Sequence, residues 1–186
     1  MTAELVVTLA AIARDLSLAL VAGALLLVAT VLPPGAAARR AVTVASASAV
    51  VWAISAFLFL GASTSVILGI GPSDELWGPQ WWQFATEISL GQSYVHAVIA
   101  AVLTSVVVGL VRTSGHALLA LIPVVWAVAW QAQTGHAAGA ADHHLAVTAM
   151  VLHLTGSAGW FGLLAAIALV HRQLDEASAD AIRRVS

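Results

Sequence analysis

The sequence predicts an all-α, polytopic membrane protein. It should be a bundle of five transmembrane helices with its N-terminus outside, plus a short interfacial helix in the 71–92 loop. Three observations carry this. Hydrophobic residues make up 61% of the 186 and charged residues only 9%, against about 25% charged in a soluble domain. Several stretches run eighteen or more residues with almost no charge, enough to cross a bilayer. The arginines gather on one alternating set of connections.

The first span covers about 5–32, with its most apolar part, LSLALVAGALLLVATVL, at 16–32, and it stops at Pro33-Pro34-Gly35. A cleavable leader would need a basic n-region and a small-residue cleavage site. Here Glu4 comes first and Arg14-Asp15 interrupts the run, so the segment is expected to stay, with that pair as a structural pair near the interface. The second span, about 43–70, is long enough to tilt. Its small residues Ser46, Ser48, Ser55, Gly61 and Ser63 suit close helix approach in lipid. The connection 71–92 holds Trp77, Trp81, Trp82 and Phe84 around Pro79. Tryptophan favours the headgroup level, which predicts a short amphipathic helix lying on the membrane. The remaining spans are about 93–111, 116–133 and 145–170, and residues 173–186 form a polar cytoplasmic tail, helical at first and then frayed.

Arginine sets the orientation. Arg39 and Arg40 follow span one, Arg112 follows span three, and Arg172, Arg183 and Arg184 follow span five. Alternating spans put these six on one face, which the positive-inside rule makes cytoplasmic. The opposite face receives Glu4, Asp15, Asp74, Glu75, Glu87, Asp142 and the stretch GHAAGAADHH at 135–144. The chain is thus expected to be a multi-pass protein of the cytoplasmic membrane.

The histidines carry the chemistry. With no cysteine in the chain, a soft metal would rely on histidine, methionine or carboxylate. At about 100° per residue, His143, Met150 and His153 fall within about 80° of arc on span five. His153 lies roughly 13 Å down from His144, and an ionisable side chain at that depth should face the bundle or a cavity and have a partner. His96, early in span three, is the natural partner, and His136 closes span four at the same face. The expected metal set is His136, His143, Met150, His153 and His96. Imidazole and thioether suit copper, and zinc with Asp142 is the second metal considered. His144 and His116 read as solvated loop residues.

The same residues admit a second reading. Haem b is held between histidines on facing helices, so His96 with His153 could clamp an outer haem and His116 with His171 an inner one. A third reading makes the chain an accessory structural subunit of a larger membrane complex. Trp52, Trp126, Trp130 and Trp160 read as packing or belt residues. No phosphate-binding loop, nucleophile elbow or zinc-protease motif is present, and an enzyme is not expected. Nothing suggests a nucleic-acid partner.

At TGHAAGAADHHLAVTAMVLHLTGSAGWFGLLAAIAL the chain resembles the copper resistance D family of bacterial inner-membrane proteins. The resemblance rests on Gly135-His136-Ala137, His153-Leu154 and Trp160-Phe161-Gly162. A fourth signature position, usually glycine, is Leu163, which puts close helix contact there in question. The opening ARDLSLALVAGALLLVATVLPPG resembles the start of actinobacterial versions, in which this domain precedes a second membrane domain related to a copper-delivery factor for cytochrome oxidase. The resemblance implies movement of copper across or into the cytoplasmic membrane from its outer side. It carries over most directly to His136 and His153; His96, His143 and Met150 rest on helical geometry alone. Family members usually have more spans, so the chain is expected to be a minimal form, a fragment, or one subunit whose path is completed by an oligomer or by a partner such as an oxidase-assembly domain.

Overall fold

In the computed structural model, residues 2–134 and 143–185 are described, the side chains of the last helix as far as Leu174 with the exception of His143. Every regular element among them is a helix, and five are long and apolar enough to cross a membrane. The all-α, five-span expectation is therefore met.

Helix α1 (Ala3–Thr30) starts where the Thr2 hydroxyl accepts a hydrogen bond from the Leu5 amide, and it ends ahead of Pro33-Pro34. Helix α2 (Ala36–Leu68) returns antiparallel against it. Its end is set by Gly69, whose φ of 69° is left-handed and costs a glycine little. Both helices exceed what a hydrocarbon core of about 30 Å requires, so they must tilt or project.

The short helix expected in the 71–92 connection is α3 (Trp77–Glu87). Asp74 opens it, its carboxylate accepting from the Leu76 amide at 2.9 Å. The Trp77 indole N–H donates to Ser65 Oγ at 2.9 Å and its ring stacks on Trp81, which fastens α3 to the end of α2. Extended backbone at Ile88 separates α3 from α4 (Ser89–Val108). The two approach so closely that a Cβ at Gly91 would overlap the Phe84 carbonyl.

Helix α5 (Ser114–Gln131) is capped by the Thr113 hydroxyl and contains Pro123. Proline has no amide hydrogen to give the preceding turn, so one rung of the α5 ladder is missing there. Helix α6 (His143–Val185) is 43 residues long and passes through the polar tail without a break. Ala, Glu, Leu and Arg there are strong helix formers.

The core is built mainly from alanine and valine, with a few leucines and Trp52. Ala41, Ala45, Ala49, Trp52 and Ala56 of α2 meet Val21, Ala24, Leu25 and Val28 of α1, with Ala100, Ala101 and Val108 of α4 and Ala117, Ala120 and Val124 of α5 around them. In lipid there is little hydrophobic force between helices, and small residues gain contact by letting backbones close in. Helix α6 shows this most sharply. Gly162 lies against Ala19 and Gly23 of α1, so closely that a Cβ on either glycine would collide with backbone. The close contact questioned because of Leu163 is made one residue earlier. Even so, α6 is the least buried of the five spans.

Candidate functional site

His96 is half-buried in the second turn of α4. Its Nδ1 lies 2.7 Å from the Gln92 carbonyl oxygen. A carbonyl only accepts, so the proton belongs on Nδ1 and the Nε2 lone pair is left for a ligand. Two tryptophans of α5 hold the ring: Trp130 stacks on it at 3.8 Å between centroids, and Trp126 meets it edge-on at 5.7 Å. Trp126 and Trp130, read from sequence as packing or belt residues, form the two walls of this imidazole's seat.

The rest of the expected set lies elsewhere. His136 is outside the described residues, as is the ring of His143, the residue that opens α6. Met150 is partly exposed and His153 exposed. The expectation that His153 faces the bundle beside His96 is corrected, since α4 and α6 make no contact among the described residues. The cause is which face of α6 packs. Gly162, Ala166 and Val170 lie against the core, and His153, nine residues before Gly162, is turned about 180° from it. Among the described residues no three histidine or acidic side chains gather as a metal would require.

The paired-histidine geometry for haem fares likewise. His96 and His153 sit on helices that do not touch among the described residues. His116 and His171 are both exposed. The first accepts a long 3.4 Å bond from the Arg112 amide, and the second donates from Nδ1 to the Ala168 carbonyl at 2.6 Å.

A feature that sequence reasoning understated lies at the same end of the bundle as His96. Arg14 and Asp15 do pair, Nε to Oδ1 at 2.9 Å. Arg14, however, is only 9% exposed and turned into the bundle rather than toward an interface. Its guanidinium lies 4.2 Å over the Phe59 ring, a cation–π contact. It borders a cavity of about 100 Å³ lined also by Ser93, Tyr94, Ala97, Gln131 and Thr134. Tyr94 is positioned by Phe59, edge-on at 5.0 Å, and by Phe84 at 6.3 Å. The available signal was depth: Arg14 is about 17 Å along α1 from Ala3, and a charge that far into an apolar helix seeks the bundle interior.

No curated protein and no solved structure matches the chain. A family model does: the copper resistance protein D-like N-terminal domain, over residues 1–143. The match takes in α1 to α5 with His96 and the Arg14 cavity, and it ends at His143, where α6 begins. Covering well over half of the sequence, it places this multi-pass, helical membrane chain in the copper resistance protein D-like family.

Proposed function

We propose that the protein binds copper at the outer face of the cytoplasmic membrane and takes part in its uptake or delivery, as a carrier of the ion and not as an enzyme. The observation that carries this is the family match across α1 to α5. Arginine placement supports the orientation. Arg39 and Arg40 lie between α1 and α2 and Arg112 between α4 and α5, with Arg172 toward the other end of α6. That face is the cytoplasmic one. The opposite end then presents His96 and the start of α6 to the outside.

Capture falls to His136 and His143 at the rim, with Met150, His153 and His96 taking the ion deeper. Met150 and His153 are three residues apart on one helix face and so are neighbours, a thioether and an imidazole suited to Cu(I). They open away from their own bundle, so this pair is half of a site. A second copy of the chain, or another membrane domain, supplies the remaining ligands. His96, seated between Trp126 and Trp130 with Nε2 free, is a separate station on the opposite flank. Transfer needs weak, exchangeable ligation at each station, since a closed, tight site would hold the ion.

The test is the metal content of full-length protein purified gently from copper-supplemented cells. Wild type should retain copper, and His153→Ala and His96→Ala should each lower it. Unchanged copper in both variants would remove these residues from the path. A Soret band in the wild type would replace copper with haem. Absence of both, with co-purification in a large complex, would make the chain an accessory subunit.

A further inference from the structure

We propose that the Arg14 cavity is a binding site for a compact monovalent anion, a halide or a small carboxylate, held by Arg14, Tyr94 and Gln131. The argument is one of hydrogen bonds already made and bonds still open. Among the described residues seven line the cavity: Arg14 of α1, Phe59 of α2, Ser93, Tyr94 and Ala97 of α4, Gln131 at the end of α5 and Thr134 just after it. The hydroxyls of Ser93 and Thr134 have donated their protons, to the Ser89 carbonyl at 3.0 Å and the Gln131 carbonyl at 2.8 Å. The other polar groups have not. Arg14 uses Nε on Asp15, and its terminal nitrogens have no hydrogen-bond partner among the described residues. The Tyr94 hydroxyl and the Gln131 side-chain amide have none there either.

A guanidinium, a phenol and an amide residue, with no further hydrogen-bond partner for these groups among the described residues, therefore border one small space. Donors that reach an accessible space without a protein partner are open to a solute, the charged one most strongly. A cation is repelled by Arg14, and a neutral polar solute gains weaker hydrogen bonds here than an anion does. An anion satisfies all three donors with charge-assisted bonds. Size narrows the class further. The cavity measures about 100 Å³, room for a few small groups and not for a large ligand. A halide with a companion water fits, as does a two-carbon carboxylate; a nucleotide does not. Asp15 does not compete for the space. It is half-exposed and faces a different groove, lined by Leu154, Ser157 and Phe161 of α6.

The experiment is calorimetric titration of the full chain in detergent, with gluconate as background anion and a chelator present. Bromide and acetate are titrated separately. The chelator makes the result independent of any copper function, so the two proposals fail separately. Wild type should bind at least one of the two at a single saturable site; bromide alone marks a halide site and acetate alone a carboxylate site. Arg14→Gln should weaken binding roughly tenfold or more, and Tyr94→Phe and Gln131→Leu severalfold each. The latter two keep the Arg14–Asp15 pair, so they decide the matter if Arg14→Gln does not fold. The proposal is overturned if folded wild type binds neither ion saturably, as a water-filled cavity would behave, or if Tyr94→Phe and Gln131→Leu both bind as wild type does.

Discussion

Helices α1 and α6 run side by side, joined at Gly23 and Gly162, yet they treat their polar residues in opposite ways. Arg14 of α1 is turned into the bundle and nearly buried, whereas His153 of α6 is turned out. The difference follows from how many neighbours each helix has. Helix α1 packs against three others, α2, α5 and α6, and Arg14 lies on the packed side. Helix α6 leans chiefly on α1, through the single stripe Gly162, Ala166 and Val170. An ionisable group on the packed side of a many-partnered helix finds its partners inside; on a helix at the edge, one face is left for lipid or for another protein.

The contrast can be broken hardest at the glycines. Gly162→Leu should drive a side chain into the Ala19 and Gly23 backbone and cost about 3 kcal/mol or more, overpacking with no room to relax. Thermal unfolding in detergent and protease access to α6 would report it; an unchanged melting temperature would mean α6 does not sit on α1 in this way. Next comes the seat of His96. Trp130→Ala removes the stacked face and should cost about 1 kcal/mol. It should also shift the His96 ring resonances by NMR, while Trp130→Phe keeps most of both.

The exposed face of α6 should show much smaller effects on stability. Gly156 has open space where a Cβ would go. Gly156→Leu should therefore stay within about 0.5 kcal/mol of wild type in the unfolding measurement that registers Gly162→Leu. His153→Ala, also on that face, should be as neutral for stability while lowering bound copper. A destabilised His153→Ala would reveal contacts that the exposed ring does not suggest.

The fold was readable because each span is an uninterrupted apolar run and each break has a chemical cause: Pro33-Pro34 after α1, Gly69 after α2, Asp74 and the tryptophans before α4. The facing of α6 was not readable from the same signal. Hydropathy separates water from lipid, but a lipid-facing side and a bundle-facing side are equally apolar, so it does not orient His153. Residue size does: Ala158, Gly162 and Ala166 recur every four residues, the spacing at which helices close on each other. Read that way, the stripe puts His153 on the far side. The haem pairs and the His96–His153 pairing were drawn from depth alone, which leaves azimuth open. The Arg14 cavity was obscured differently. An arginine beside an aspartate reads as a self-contained pair, but one Nε–Oδ1 bond leaves the rest of the guanidinium fork unspent.

Pro123 gives α5 a built-in elbow. Above it are Trp126 and Trp130, which hold His96, and Gln131, which borders the Arg14 cavity; below it is the end capped by Thr113. Bending stiffness is lowest where the ladder lacks a rung. A bend at Pro123 would move the imidazole's aromatic walls and the cavity's edge together, since both sit on the same half of α5.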